Sequence, residues 1–392
     1  MKQTVIPVGY MPLVDAAPLI VAHEMGFAAE EGLALDLQPA PSWSSLRDML
    51  AFGRVEAAHM LAPVPVAAAL GLGGAGAEFS VLSVLSVNGN VIGVSRELAD
   101  RLEAQGHSFA FDDAETAGRA LIGAASDRLR IGIPFPFSMH MELLSYWIDA
   151  LEPAARHAIE IRTVPPPLMA DAIRAGEIDA FCVGEPWGSI TVEHAMGSLL
   201  LPGRAIWSFA PEKVLAVRKG WADVNRPLAE GLIRALWRAG CWLSGPQSHV
   251  LAAELLSRSA WLDLPAEIID RALSGRLTIT PQGLQRHVPG FLEFHNGVAG
   301  FPWRSQSQWI ARQLAARTQL DPADASARAA QVFRSDFYRS ALRKTGADLP
   351  GASSKIEGAA SVETAVASER GTLILPPNEF FNRRFFDPDR SE

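Results

Sequence analysis

Apolar residues in the first half of the chain alternate between short β-rich runs and longer segments with the spacing of an amphipathic helix. The helical segments cover residues 16–31, 42–52, 64–72, 138–151 and 167–175. The strand-like runs cover residues 4–6, 34–37, 57–61, 80–87, 91–94, 130–133, 159–164 and 180–183. Because strands and helices that alternate in this way usually build sheets covered by helices, the pattern predicts an α/β fold with mostly parallel strands.

Cap and turn signals divide this pattern into two lobes. Asp15 and Ser42 each stand at the start of a helical segment and have side chains typical of N-caps. Asn88-Gly89-Asn90 separates two strand-like runs, and a chain that crosses between lobes would need a bend at such a turn signal. Residues 205–217 have the pattern of a strand pair or of a crossover back to the first lobe. We therefore predict one lobe of residues 1–88 and 205–392 and a second lobe of residues 89–204.

The last third of the chain is predicted to be mainly helical. The helical segments cover residues 226–243, 248–257, 265–272, 305–316 and 322–339. Residues 346–359 are rich in Gly, Ala and Ser, which predicts a loose linker. The tail beyond Pro376 contains several aromatic residues among charges: Phe380, Phe381, Phe385 and Phe386. An aromatic tail usually docks on its own protein, and the alternative is a contact with a partner or a second copy.

Composition excludes several classes of function. The chain has 392 residues and a formal net charge of -8 at pH 7, so direct binding to nucleic acid, which usually needs a basic face, is not expected. The N-terminus lacks the apolar core of a secretory signal, and the apolar stretch 60–77 is interrupted by proline and glycine. We therefore expect a cytoplasmic protein without a membrane segment. Cys182 and Cys241 form no CxxC pair, and neither a metal nor a cofactor is expected.

An ordered set of short motifs over residues 8–216 resembles the nitrate/bicarbonate branch of the periplasmic-binding-protein superfamily. The motifs are Asp15-Ala16-Ala17-Pro18 with Gly26-Phe27, Ser42-Trp43, Ala58-His59-Met60-Leu61, Asn88-Gly89, the run PFPFSMH at 134–140, the prolines at 165–167, Gly184-Glu185-Pro186-Trp187 and Pro211-Glu212-Lys213-Val214-Leu215. Each motif alone is unspecific, but the ordered set is highly specific. The resemblance implies a type 2 periplasmic-binding-protein fold, an α/β fold in which two lobes hold an oxyanion in a cleft, here with a helical C-terminal extension.

The resemblance also implies which side chains hold the anion. The ligand-binding positions that carry over to this chain are Trp43, Asn90, His140 and Lys213. Asn90 stands where transporter-linked nitrate-binding members often have glutamine, so its amide is carried on a side chain that is one methylene shorter. A neighbouring segment is expected to shape the hinge or the wall of the cleft rather than to contact the anion: Gly184, Glu185, Pro186 and Trp187.

The chemistry of the four ligand positions suits a planar monoanion, which needs hydrogen-bond donors in its plane and no acceptor facing it. Lysine supplies a charge and three donors, tryptophan can only donate, and asparagine and histidine can also donate. A bicarbonate site would need an acceptor for the acid hydrogen, and the bicarbonate-binding relatives have an acidic residue where this chain has Lys213. Lys213 therefore favours nitrate or nitrite over bicarbonate.

Three functions follow from the resemblance and are open at this point. The leaderless NasS-type members are the most similar, and they imply a cytosolic nitrate/nitrite sensor. Such a sensor sequesters an RNA-binding transcription antiterminator of the NasT type and releases it on nitrate binding, which switches on nitrate assimilation genes. The alternative is the substrate-binding component of a nitrate/nitrite ABC transporter. An enzyme is not expected, since the pyrimidine-synthesising family with this fold needs a cysteine-rich iron-binding motif and this chain has two distant cysteines.

Overall fold

Two mixed β-sheets form the framework of the protein in a computed structural model that describes residues 3–74, 76–124 and 128–390. In chain order, the strands are β1 (Thr4–Tyr10), β2 (Leu33–Pro39), β3 (Ala57–Leu61), β4 (Phe79–Asn88), β5 (Asn90–Ser95), β6 (Leu129–Ile133), β7 (Ile159–Thr163), β8 (Ala180–Gly184), β9 (Gly197–Pro202), β10 (Pro211–Arg218), β11 (Arg276–Thr278), β12 (Gln285–His287), β13 (Leu292–Glu293), β14 (Thr364–Ser368) and β15 (Gly371–Leu375). The first sheet has the strand order β13-β4-β10-β3-β1-β2, and the second has the order β7-β6-β8-β5-β9.

Helices cover the faces of both sheets. They are α1 (Ala17–Glu24), α2 (Phe27–Glu30), α3 (Trp43–Ala51), α4 (Pro63–Ala69), α5 (Arg96–Ala104), α6 (Ala114–Ala124), α7 (Met139–Leu151), α8 (Met169–Arg174), α9 (Trp187–Glu193), α10 (Trp221–Val224), α11 (Arg226–Leu243), α12 (Ser248–Leu256), α13 (Ala266–Ser274), α14 (Arg304–Thr318), α15 (Pro322–Ala329) and α16 (Ser335–Leu342). Every residue of the central strands β3, β4 and β8 is buried, as expected for strands with helices on both faces.

The chain crosses between the two sheets at two places. It leaves β4 through Asn88 and Gly89 and enters the second sheet at Asn90. Gly89 has a φ of 90°, a left-handed conformation that glycine adopts without strain, and a Cβ there would lie 2.8 Å from Leu292 Cδ1. The return leads to β10, which lies between β3 and β4 in the first sheet. The predicted bend and the predicted crossover are therefore confirmed, whereas the exact lobe boundaries stay a prediction.

Most strands of each sheet run in one direction, as predicted: β1 to β4 in the first sheet and β6 to β9 in the second. Strand β1 is parallel to β2 and β3, and β6 is parallel to β7 and β8. The two strands that follow the crossings, β5 and β10, are antiparallel to both of their neighbours. A strand that arrives directly from the other sheet needs no helical crossover, so it can enter its sheet in the opposite direction.

Two local predictions about helices are corrected. Asp15 does not cap a helix, because it lies inside a short 3-10 turn, Val14–Ala16, and its carboxylate contacts distant side chains. The helix predicted over residues 16–31 is divided into α1 and α2 at Gly26, which has a φ of 78°. By contrast, the predicted cap at Ser42 is confirmed, since its Oγ accepts a hydrogen bond from Ser45 N at 3.2 Å.

The C-terminal third is mainly helical, as predicted, but the segment predicted over residues 322–339 is divided into α15 and α16, and residues 346–359 are not a loose linker. Glu357 is fully buried, and its carboxylate accepts a hydrogen bond from Ser305 Oγ and pairs with Lys355. The aromatic tail docks on its own protein, as predicted, with Phe380 buried next to Trp207 and Trp309. Among the residues that the structure describes, no helix is both long and apolar enough to cross a bilayer.

Candidate functional site

Buried charged side chains meet where the first sheet faces the second. Lys213, near the start of β10, is fully buried, and its Nζ lies 2.8 Å from Asp15 Oδ2. The same ammonium lies 2.7 Å from Glu212 Oε1, so two carboxylates share one lysine. Charges are rarely buried in this way unless they are paired, because removing them from water is costly. The arrangement therefore marks this position as a candidate site.

An irregularity in β10 allows the neighbouring residues Glu212 and Lys213 to reach the same site. In a regular strand, successive side chains point to opposite faces of the sheet. The pairing of β10 with β4 is shifted between Pro211 and Lys213 and again between Lys213 and Val214. Such a bulge redirects side chains and is common beside functional sites. It explains how a carboxylate and an ammonium from adjacent residues can lie 2.7 Å apart.

The second sheet and its helix supply two further polar groups. Asn90, the first residue of β5, donates from Nδ2 to Glu212 Oε2 at 2.6 Å. His140 lies in the first turn of α7, where Ser138 Oγ caps the helix by accepting a hydrogen bond from Met141 N. His140 Nδ1 lies 3.6 Å from Glu212 Oε1. Glu212 therefore faces Lys213 from its own strand and both Asn90 and His140 from the opposite side.

Trp43 and His59 complete the site from the first sheet. The ring of Trp43, the first residue of α3, lies 5.4 Å from Lys213 Nζ, which is within the range of a cation–π contact. Its ring centroid lies 6.0 Å from that of His59 on β3. His59 Nε2 lies 3.2 Å from Asp15 Oδ1, although the two atoms are not aligned for a hydrogen bond. All these side chains are buried.

Several polar atoms in this cluster are buried without a hydrogen-bond partner among the described residues. They are Trp43 Nε1, both ring nitrogens of His59 and of His140, Asn90 Oδ1, Asp15 Oδ1 and the Oγ of Ser86, which is the register partner of Lys213 on β4. Buried polar groups in folded proteins are nearly always paired, so a group of unpaired polar atoms in one place is unusual. A small ligand with several acceptor oxygens would satisfy the indole, the hydroxyl and the imidazole N–H groups together.

The charges of Asp15 and Lys213 support each other. Burial alone would raise the pKa of Asp15, but the Lys213 ammonium and then His59 hold that pKa below its usual value. Burial alone would lower the pKa of Lys213, but Asp15 and Glu212 raise it above its usual value. Both groups are therefore ionised near neutral pH, and Lys213 remains a cation although no water reaches it.

The other titratable groups of the cluster are pushed towards their neutral forms. Burial raises the pKa of Glu212, although Lys213 opposes this effect. Burial also lowers the pKa of His59, and it lowers that of His140 further, with the Lys213 ammonium adding to the effect on His140. Both histidines are therefore neutral near pH 7, and each can donate from one nitrogen and accept at the other.

The four predicted ligand positions come together in this cluster, whereas the Gly184-Glu185-Pro186-Trp187 segment forms its edge. A Cβ added to Gly184 would lie 3.7 Å from both Asn90 Oδ1 and Asp15 Oδ2. Glu185 O accepts a hydrogen bond from Val14 N at 3.1 Å, and its peptide bond to Pro186 is cis. Trp187 begins α9. Anion contact by Trp43, Asn90, His140 and Lys213 stays a prediction, and so does the wall or hinge role of this segment.

Sequence reasoning missed three members of the cluster: Asp15, His59 and Glu212. All three stand in motifs that carry the resemblance, but an anion site was expected to exclude carboxylates. Glu212 has a recognisable signal, since Glu-Lys is a charged pair directly before the apolar run 214–217. In the described part of the chain, no group of three or more His, Cys, Asp or Glu side chains is suited to a metal ion.

Comparison with known proteins identifies the family. The profile of the NMT1-like family matches residues 1–257. The nitrate import ATP-binding protein NrtC of Synechocystis is 31% identical over 353 residues, which cover 88% of this chain and 51% of the relative. The chain thus spans about half the length of that relative. The nitrate/nitrite binding protein NrtA of Nostoc is 27% identical over 401 residues, covering 100% of this chain and 84% of NrtA.

The fold agrees with this sequence similarity. The crystal structure of the periplasmic nitrate-binding protein NrtA from Synechocystis superposes with a TM-score of 0.83 at 25% sequence identity. The superposition covers 99% of this chain and 96% of NrtA, so it includes the helical C-terminal third. The predicted periplasmic-binding-protein fold is therefore confirmed. This chain belongs to the NMT1-like family, in the nitrate/bicarbonate substrate-binding branch.

Proposed function

We propose that the protein is a cytoplasmic sensor that binds nitrate or nitrite in the buried cluster around Lys213 and thereby controls an RNA-binding antiterminator of the NasT type. The observation that carries anion binding is the set of unpaired buried donors beside a buried ammonium. Trp43 Nε1, Ser86 Oγ and the imidazoles of His59 and His140 all lack a partner among the described residues, close to a lysine that stays charged.

The relatives support nitrate or nitrite as the anion. NrtA of Nostoc is a nitrate/nitrite binding protein and NrtC of Synechocystis belongs to a nitrate import system, as their names state. These names describe binding and import, and we propose that this chain is likewise a binding protein and not an enzyme. The preference for nitrate over bicarbonate stays a prediction, because Glu212 and Asp15 place carboxylate acceptors in the cluster beside Lys213.

Replacing one unpaired donor tests the anion site. We expect Trp43→Phe to weaken nitrate binding by about 10- to 100-fold, the effect of losing a hydrogen bond to a charged group. Because Trp43 is buried, the replacement also leaves a small cavity, and a control at a second buried tryptophan is needed to separate this effect from the loss of the donor. Isothermal titration calorimetry with nitrate and nitrite measures the effect.

Trp207→Phe is the matched control. Trp207 is also fully buried, and its Nε1 also has no partner among the described residues, but it lies against Phe380 and Trp309 and not against Lys213. We expect it to bind nitrate as tightly as the unchanged protein. Equal affinity in all three proteins would contradict the placement of the anion next to Trp43.

The sensor role rests on the motif resemblance to NasS-type proteins and is tested by complex formation. We expect the nitrate-free protein to form a complex with a NasT-type antiterminator, and nitrate to dissociate it, because an anion that favours one arrangement of the two sheets shifts the population away from the other. Size-exclusion chromatography of the mixture with and without nitrate measures this. An elution profile that nitrate does not change would exclude the sensor mechanism.

A second candidate function is the substrate-binding component of a nitrate/nitrite ABC transporter. It is favoured by the extent of the match to NrtA of Nostoc, which includes the full length of this chain. The two functions share the same anion site and differ in the partner. Co-purification with a permease and an ATPase, with no complex formed by the antiterminator, would favour the transporter component.

A further inference from the structure

The candidate site holds two carboxyl groups and one ammonium before any anion enters. Lys213 is the cation of the cluster, and it lies within 2.8 Å of both the Asp15 and the Glu212 carboxylates. With both carboxyl groups ionised and both histidines neutral, the site has one negative charge more than the lysine balances. A monoanion such as nitrate would raise this excess in a place that is buried from water, where like charges repel strongly.

We propose that the site takes up its anion together with one proton, which is held by the pair Glu212 and His140. This inference rests on the proposed function, since it specifies what binds with the anion at the same site. The proton comes from water and returns to water when the anion leaves, and no covalent bond other than the one to this proton forms or breaks.

The geometry selects this pair because it has an acceptor and a free ring nitrogen facing each other. His140 Nδ1 lies 3.6 Å from Glu212 Oε1, and both ring nitrogens of His140 have no hydrogen-bond partner among the described residues. A proton shared by the pair neutralises the excess charge. It also allows His140 to donate from one nitrogen to Glu212 and from the other towards the anion, since a protonated imidazole has two donors.

Charged and titratable groups face this pair from every neighbouring element. Lys213 on β10 and Asp15 in the turn before α1 are ionised, and their pKa values are shifted further in that direction. His59 on β3 is neutral, and burial raises the pKa of the Cys182 thiol on β8, which is therefore protonated. Asn90 and Trp43 carry no charge. Each titratable group among them would have to change its own protonation state before it could offset the negative charge of the anion.

The titration of the pair itself agrees with proton uptake. Burial raises the pKa of Glu212, so this carboxyl takes up a proton more readily than an ordinary glutamate, and burial lowers the pKa of His140. A bound anion nearby would raise both pKa values, because it favours the more positive form of every neighbouring group. The two groups titrate as one unit, so the proton is assigned to the pair and not to either residue.

Calorimetry of nitrate binding at pH 8, in buffers with different ionisation enthalpies, measures the number of protons taken up by the full chain. We expect a value approaching one proton per nitrate. Since uptake of one proton makes affinity fall with rising pH, the association constant should decrease by up to about tenfold per pH unit above the pKa of the unliganded pair. Nitrate itself does not titrate in this range.

Two further variants locate the proton. Glu212→Gln removes the excess charge, so we expect nitrate binding without proton uptake. Glu357→Gln is the matched control, because Glu357 is also a buried carboxyl paired with a lysine, Lys355, but is bound by Ser305 on α14, and its replacement should leave proton uptake unchanged. Uptake that persists in Glu212→Gln overturns the assignment to this pair.

The outcomes separate this inference from the proposed function. Nitrate binding with no proton uptake, and with the same affinity from pH 6 to pH 9, overturns the inference and leaves the anion site in place. Absence of nitrate and nitrite binding at every pH overturns the proposed function. If Glu212→Gln does not fold, the number of protons taken up by the unchanged protein still decides whether the anion binds together with a proton.

Discussion

Lys213 lies between two carboxylates and has no contact with water. This position determines how much each residue around it contributes to stability and to anion binding. Removing one partner from a buried ion pair typically destabilises a protein by about 3–5 kcal/mol, since the remaining charge is left unpaired. Replacements of Lys213, Asp15 or Glu212 therefore change stability as well as binding. Trp43 and His140 are better probes of the anion, because their polar atoms have no partner among the described residues.

Glu185 is a buried carboxyl whose pKa is shifted mainly by burial. Burial raises its pKa to about 7, although hydrogen bonding from Ser189 N at 3.1 Å opposes the shift. The folded protein therefore binds this proton more strongly than the unfolded chain, where the pKa is near the ordinary value of 4.5. Stability contributed by the neutral carboxyl is present below pH 4.5 and is lost as the pH rises to about 7.

Glu185→Gln should therefore stabilise the protein at pH 8 and not at pH 4.5. A shift of this size corresponds to an upper value of about 3 kcal/mol in the free energy of unfolding at pH 8. Glutamine keeps an acceptor for Ser189 N while removing the charge. Urea denaturation at both pH values measures the difference. The exposed Glu103→Gln is the control, and it should stay within about 0.5 kcal/mol at either pH.

A stabilisation by Glu185→Gln that is equal at pH 4.5 and pH 8 would contradict the assignment of a buried, titrating carboxyl.

Only some residues of the candidate site could be predicted from the sequence. The family resemblance points to Trp43, Asn90, His140 and Lys213, and the donor chemistry of these side chains agrees with an anion. Asp15, His59 and Glu212 could not be selected in that way, because their roles depend on contacts between segments far apart in the chain.

At the scale of elements, signals that act within a few residues predicted the structure well. Ser42, a predicted cap, caps α3 through a hydrogen bond that spans three residues. The same kind of signal failed at Asp15, whose carboxylate contacts Lys213 instead of the nearest helix. A local cap competes with tertiary ion pairs for the same oxygen atoms, and only the fold decides which partner is closer.

Strand direction and the packing of residues 346–359 also depended on distant contacts. Alternation of strands and helices predicted the α/β class, but it contains no information about β5 and β10, which enter their sheets directly from the other sheet. The composition of residues 346–359 predicted a linker. Glu357 lies in this stretch and is fixed there by Ser305, which precedes it by 52 positions, at 2.7 Å.

One ion pair joins the helix of the candidate site to the C-terminal third. Glu142 on α7 is fully buried, and Arg317 on α14 donates to its two oxygens at 2.5 and 3.3 Å. Burial raises the pKa of Glu142 to about 7, although Arg317 opposes the shift. Because His140 lies on the same helix two residues before Glu142, the C-terminal third helps to fix the position of a predicted anion ligand.

At the scale of the whole molecule, the C-terminal tail joins parts that the chain order keeps separate. Phe380 lies 5.1 Å from the ring of Tyr146 on α7, 4.9 Å from that of Trp207 in the crossing segment and 5.7 Å from that of Trp309 on α14. Tyr146 also donates to Asn382 Oδ1 at 2.9 Å. The tail therefore belongs to the folded unit and packs against both the second-sheet helix α7 and the C-terminal helices.

Phe380→Ala should destabilise the whole protein by about 3–5 kcal/mol, because it leaves a cavity among three aromatic rings. The neighbouring Phe385→Ala is the matched control: Phe385 is 57% exposed, so its loss should change the free energy of unfolding by no more than about 0.5 kcal/mol. Since Phe380 packs on Tyr146 of the helix that begins at Met139 and includes His140, Phe380→Ala should also weaken nitrate binding. Chemical denaturation and calorimetry measure the two effects. If Phe380→Ala unfolded at the same denaturant concentration as the unchanged protein, the tail would not be part of the cooperative unit, and its aromatic residues would be better explained as a contact for a partner or a second copy.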